Sequence, residues 1–381
     1  MTEKVLSIAG VDPERNFGGG ETQVLGLTRE LIRMGHRAEL ICDPDGALSD
    51  RARAAGVTCH PLHIRNAVDM VAGWRLRAIL SRHHYDVVHF HTARAHALAP
   101  YASGVGVLRL VTRRMDYPPG RLLGPYLYNH AVDGVIAISG GVAQALVAAG
   151  VRRDRIAVVF SGIDCERFAS PGEKQRQAAR ARFKLGADEI AIGAVGALVA
   201  RKGHHVLIEA VVEAQARLES SGLRLRCLIA GDGSLHDELE KHIRERSAAD
   251  IVTLLGPLDD PREMLAALDM FAMPSTHEGL GVAALEAMAM GLPVIASAVG
   301  GLVEVVEEGA TGLLFRSSDA AALALRLEEL ARDHDRRQTM GLAARQRAVE
   351  KFSMQSMASG TLRVYRELLA KRDARQRKVA G

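Results

Sequence analysis

A chain of 381 residues exceeds one ordinary core and fits two domains of about 150 to 200 residues each. Its 48% hydrophobic and 25% charged residues are those of a soluble globular protein, and no apolar run approaches the roughly 18 residues needed to span a bilayer. The net charge of +4 is unevenly spread: eleven Arg and Lys stand against three acids from Arg51 to Arg121, and five basic groups against one acid from Lys371 to Gly381.

Basic stretches of this kind either form solvated faces or attract phosphate-bearing partners such as nucleic acid, anionic lipid or acidic glycans. Met1 to Gly10 carries only the short strand-like run Val5 to Ala9, so no signal peptide is expected and the cytoplasm is the expected location. Cys42, Cys59, Cys165 and Cys227 are dispersed without C-x-x-C spacing and read as reduced structural thiols.

Apolar strand-like runs alternate with amphipathic segments along the chain, the pattern of βα units and parallel sheets. Lys4 to Ala9 predicts the first strand, Glu21 to Met34 a helix with Leu25, Leu27 and Leu31 inward, and Arg37 to Cys42 the second strand. Further strands are predicted at Asp86 to Phe90, Leu108 to Thr112, Gly134 to Ile138 and Ile156 to Phe160. The polar stretch Ala169 to Gly186 reads as a connection with a surface helix. Alternation resumes at Ile190 to Val195, Leu225 to Ala230, Ile251 to Leu254, Met270 to Met273 and Pro293 to Ala296, and helices alone follow from about Asp319. The fold class is therefore α/β, with two doubly wound Rossmann-like domains facing a cleft. Ligands in such sheets bind at the carboxyl ends of the strands.

Three motifs fall at such ends. Gly18-Gly19-Gly20-Glu21 opens the first helix and is either a phosphate cradle or a plain loop-to-helix junction. In Gly196-Ala197-Leu198-Val199-Ala200-Arg201-Lys202-Gly203, two cations precede a helix whose dipole favours anions, which argues for a diphosphate ligand. In Pro274 to Pro293, Glu278 sits in a glycine-flanked loop, while Glu286 lies among Ala284, Leu285, Ala287 and Met288. A carboxylate in that setting needs a partner, and the vicinal hydroxyls of a ribose are suitable. The loop amides of Gly279, Leu280 and Gly281 suit a sugar or its phosphate.

These motifs, together with Gly35-His36, Asp86-Val87-Val88-His89, Phe160-Ser161-Gly162-Ile163-Asp164, Arg167-Phe168, Gly231-Asp232-Gly233 and Gly300-Gly301 with Glu304, resemble the retaining family-4 glycosyltransferases of GT-B type. The resemblance implies an acceptor-binding domain over residues 1–168, with a helix from about 355 to 381 packing back on it, and a nucleotide-sugar-binding domain over 186–350. It implies that Glu278 contacts the transferred sugar and Lys202 the leaving diphosphate as catalytic residues. Glu286 then holds the ribose, and Gly19, Gly20, Arg201, Gly279, Leu280 and Gly281 complete the donor side. Two departures stand out: Ala197 replaces the family's usual arginine, and Arg113-Arg114 replaces a frequent histidine after Val111-Thr112.

The implied reaction moves a sugar from a nucleotide-diphosphate donor to a glycan or glycolipid hydroxyl in envelope, lipopolysaccharide or polysaccharide synthesis. It needs neither cofactor nor metal. Asp43-Pro44-Asp45 reads as a turn, and His89, His91 and His96 as cleft or core histidines rather than zinc ligands. Arg113, Arg114, His91 and Asp116 line the expected acceptor side, with Arg94 adding charge for an anionic acceptor. Attachment to the cytoplasmic face of the inner membrane is a related expectation. A sugar-nucleotide epimerase is the alternative on this architecture, and a nucleic-acid partner is not expected because aromatic stacking groups are lacking.

Overall fold

The computed structural model describes residues 4–116 and 124–380, and for 378–380 the backbone alone. Arg121, the end of the basic stretch, lies outside the described residues. The chain divides into two compact units, residues 1–162 with 354–381, and residues 163–353. The first division falls six residues before the boundary at 168 drawn from sequence.

The first unit is built on seven parallel strands: β1 Ser7–Asp12, β2 Arg37–Cys42, β3 Cys59–Pro61, β4 Val87–Phe90, β5 Leu108–Arg113, β6 Gly134–Ala137 and β7 Ile156–Val158, in the order β3-β2-β1-β4-β5-β6-β7. Strands buried on both faces must read as near-continuous apolar runs, and β4 and β6 are buried at every residue. β1 is displaced three residues from its predicted position, because Ser7 pairs with Arg37 and the ladder ends at Asp12 beside Cys42. β3 was not predicted. It spans three residues at the sheet edge, too short to show a period.

The helix Met354–Ala380 belongs to this unit. Met357, Leu362 and Tyr365 join Leu27 and Leu31 of the helix Gly19–Arg33 in one core with Val87, Leu108 and Ile136. Its polar pin is His89, whose two ring nitrogens lie 2.7 Å from the Tyr365 hydroxyl and 2.7 Å from the Thr112 hydroxyl. His89 is fully engaged, and burial holds its pKa down at about 3.

The second unit carries six parallel strands: β8 Glu189–Val195, β9 Arg224–Ala230, β10 Val252–Gly256, β11 Met270–Met273, β12 Val294–Ser297 and β13 Gly312–Phe315, ordered β10-β9-β8-β11-β12-β13. β13, a four-residue edge strand, was also absent from the sequence reading. Both sheets reverse direction once, between β1 and β4 in the first unit and between β8 and β11 in the second. Crevices at the carboxyl ends of strands open at such switch points.

Candidate functional site

In the second unit the loops after β8 and β11 meet at the switch point. Lys202 ends the short turn Ala200–Lys202, and its Nζ lies 2.6 Å from Glu278 Oε2. The two side chains are only 12% and 13% exposed, and Ser275 donates its hydroxyl to the same carboxylate oxygen at 3.2 Å. Thr276 N–H donates to the Arg201 carbonyl at 2.8 Å, which fastens the two loops together. The Arg201 side chain points outward and is exposed.

Two glycines set this close approach. Gly203 follows Lys202 with φ +66°, and a Cβ there would stand 2.1 Å from the Pro274 carbonyl oxygen. Gly300, φ +49°, brings the loop after β12 against Glu278, where a Cβ would be 2.0 Å from the Glu278 carbonyl oxygen. Any side chain at either position is strained in φ and collides with backbone. Gly203→Ala is therefore expected to lower unfolding stability by about 2 kcal/mol or more, read as a fall in the urea midpoint. An unchanged midpoint would mean that the loops part without cost.

Glu278 is followed by three free donors: the N–H groups of Gly279, Leu280 and Gly281 have no protein acceptor among the described residues. The Leu280 side chain is buried, so only its backbone is available to a ligand. Gly281, φ +95°, starts the helix Val282–Ala289, and Gly291 ends it. Glu286 occupies this helix, largely buried, and its carboxylate has no hydrogen-bond partner among the described residues. Burial pushes its pKa up to about 7, against a lesser opposing pull from Arg167. Arg167 is itself held by Asp260 at 3.2 Å, and Asp260 also binds Arg262 at 2.6 Å. The sequence singled out Arg167 only within a motif, and Asp260 and Arg262 went unnoticed.

The first unit's switch point holds a different set. Gly18 N–H donates to the Glu21 carboxylate at 2.7 Å, capping the helix Gly19–Arg33. The amides of Gly19 and Gly20 lie in its first turn, where an α-helix supplies no acceptor. A Cβ at either glycine would meet nothing within 4 Å, so this backbone borders open space. Asp12, at the end of β1, is buried, and burial raises its pKa to about 7 against a bond from Glu14 N–H. Sequence reasoning missed it, although an acid closing an apolar run was the available signal.

The anionic-acceptor cluster is not assembled as expected. Arg94 pairs with Glu14 at 2.5 Å. His91 is buried with its ring tilted against that of His89, centroids 4.1 Å apart, and burial holds its pKa well below the ordinary imidazole range. Arg114 reaches the Ser161 hydroxyl at 3.4 Å, and burial lowers its pKa to about 10 against the opposing charges of Asp12 and Glu21. Arg113 donates to the Met115 carbonyl, and Asp116 is half-buried beside it in sequence. Arg94 is thus ion-paired with Glu14, and Asp12 and Glu21 oppose the charge of Arg114.

The Asp43-Pro44-Asp45 turn forms as predicted, with Asp43 accepting from Asp45 N–H at 3.0 Å. Asp43, Asp45 and His63 place ligand atoms within 4.8 Å of one another, as do Glu39, His60 and His83. In both groups an arginine already supplies the cation: Arg15 lies 3.1 Å from Asp43, and Arg37 lies 2.8 Å from Glu39.

Residues 175–347 match the family described as glycosyl transferases group 1, and residues 17–167 match glycosyltransferase family 4. The alpha-maltose-1-phosphate synthase of Mycolicibacterium smegmatis is 30% identical over 390 residues, covering 94% of this chain and 97% of that one. This chain belongs to glycosyltransferase family 4. The D-inositol 3-phosphate glycosyltransferase of Nocardia farcinica is 36% identical to this family 4 enzyme over 301 residues, covering 77% of this chain and 63% of that relative. Anabaena HepE in complex with UDP superposes with a TM-score of 0.83 at 21% identity over 95% of this chain and all of that one, a likeness of GT-B fold. The family 4 enzyme is a glycosyltransferase, which sets the epimerase alternative aside.

Proposed function

We propose that this enzyme is a retaining, metal-independent transferase that moves a sugar from a nucleotide-diphosphate sugar to a hydroxyl of a glycan or glycolipid acceptor in cell-envelope synthesis, without a cofactor. The observation that carries the donor half is the Lys202–Glu278 pair at the switch point, beside the unclaimed amides of Gly279 to Gly281. Glu286, on the helix leaving that loop, is a largely buried acceptor, for which ribose hydroxyls supply donors.

In this reading Lys202 transfers its hydrogen bond to the leaving diphosphate as negative charge develops there, with Arg201 adding charge from the exposed side of the turn. Glu278 then faces the transferred sugar, and the acceptor hydroxyl attacks from the face the diphosphate leaves, which preserves the anomeric configuration. The departing phosphate oxygen takes the acceptor proton. Gly19 and Gly20 offer backbone amides to an anion. Both relatives are named for phosphorylated polyols or sugars, which supports an acceptor that carries phosphate.

The test is a thermal-shift screen against uridine, guanosine, adenosine and cytidine diphosphate sugars. At a hundredfold excess over Kd the true donor should raise Tm by about 5 to 10 °C. Product anomers are then read by NMR with and without chelator. No stabilising donor, an inverted product, or activity lost to chelator and restored by a divalent ion would each overturn a part of the proposal.

A further inference from the structure

The basic stretch suggested membrane attachment through charge alone, and the structure adds an apolar face that the donor site does not explain. The helix Met70–His83 packs Ala72, Gly73, Leu76 and Leu80 inward. It is held firmly: Asp69 caps it by accepting from Ala72 N–H at 3.0 Å, and Arg77 donates to the Tyr101 and Ser103 carbonyls. Gly73 lies under the Tyr101 ring, where a Cβ would be 2.5 Å from ring carbons.

The outward face of this seated helix is apolar where a globular surface should be polar. Trp74, Val71 and Met70 are 61%, 61% and 64% exposed, and Val68 just before the helix is 81% exposed. Val71, Trp74, Arg75, Ala78 and Arg82 recur at helical spacing along that face, and all are exposed. The helix contains no acid. Arg65, Arg75 and Arg82 form no ion pair among the described residues. A contiguous exposed apolar patch bordered by unpaired arginines, with a tryptophan at its edge, matches the chemistry of an anionic bilayer surface rather than bulk water.

We propose that Val68 and the helix Met70–His83 form a membrane-docking face, in which Val68, Met70, Val71 and Trp74 enter the headgroup boundary while Arg65, Arg75 and Arg82 pair with anionic lipid headgroups. The occupant is a lipid surface, not a free phosphate, because the apolar side chains gain nothing from a soluble anion. The inference deepens the envelope reading of the acceptor, yet it is read without any sugar donor, so its failure leaves the donor site untouched.

Trp74 is the chain's only tryptophan and reports on the contact directly. The full chain is mixed at low salt with phosphatidylcholine vesicles, with or without 30% phosphatidylglycerol, and followed by sedimentation and by Trp74 emission with acrylamide quenching. Expected are binding to the anionic vesicles alone, a blue shift and protection from quencher. Arg75→Ala/Arg82→Ala should weaken partition by about thirtyfold. Val71→Ser/Trp74→Ser should abolish vesicle sedimentation while the urea midpoint stays that of the parent, which shows the variant folded. No sedimentation, equal binding to neutral vesicles, or binding with Trp74 still open to quencher would overturn the proposal. Protection of Trp74 by self-association without lipid would overturn it in favour of a second copy of the chain.

Discussion

Lys202→Ala is expected to lower kcat for sugar transfer by two to three orders of magnitude while the variant still binds donor. The lysine lies 2.6 Å from Glu278, on a turn locked by Gly203 against the neighbouring loop. It is therefore preorganised where diphosphate charge develops. Lys202→Arg should not restore activity, because a planar fork cannot replace a compact ammonium in a contact built around one oxygen. A purely structural salt bridge would predict a different pattern, and the two readings separate in stability. Removing Lys202 alone strands a mostly buried Glu278 with only the Ser275 hydroxyl, at a cost of about 2 to 3 kcal/mol. Adding Glu278→Gln removes the stranded charge, so the double variant should regain most of the lost urea midpoint and none of the lost turnover. Recovery of both would reduce Lys202 to a structural role.

How far the sequence could be read depends on whether each signal is local. Long buried strands announce themselves, as Glu189–Val195 does, because its central residues Ile190 to Ala194 are all buried and carry no polar side chain. β3 and β13 sit at sheet edges with three and four residues, too short for a period to appear. The Lys202 and Glu278 motifs were legible because glycines and charges cluster unusually within a few residues, yet their direct contact spans 76 positions and no spacing reveals it.

The basic stretch shows the converse failure. Counting charge between Arg51 and Arg121 omits Glu14 and Asp133, which lie outside it and pair with Arg94 and Arg109 at 2.5 and 3.0 Å. What survives as unpaired charge is concentrated on the helix beside Trp74, a placement set by tertiary packing. Among the described residues no helix is long and apolar enough to cross a membrane.

Glu286→Gln should make the ligand-free protein more stable at pH 8 and leave it unchanged near pH 4, while lowering donor affinity. The native pKa of about 7 lies above the ordinary value of 4.5, because burial disfavours the carboxylate. Between those values the folded state binds more protons than the unfolded one, so stability is full below pH 4.5 and lost as pH rises through 7. The span corresponds to roughly 3 kcal/mol at pH 8. Asp12, also raised to about 7, contributes a loss of the same sign in the first unit. That background cancels when the variant is compared with the parent at each pH. Function runs the other way. Two vicinal hydroxyls need an ionised acceptor, so donor binding to the parent should tighten as pH rises through 7, and the glutamine variant should bind weakly with a flat profile. A carboxylate retained for packing would show the stability change without the loss of donor affinity. A carboxylate retained for the donor must show both, since the same desolvation that destabilises the empty site strengthens each hydrogen bond made to the ligand.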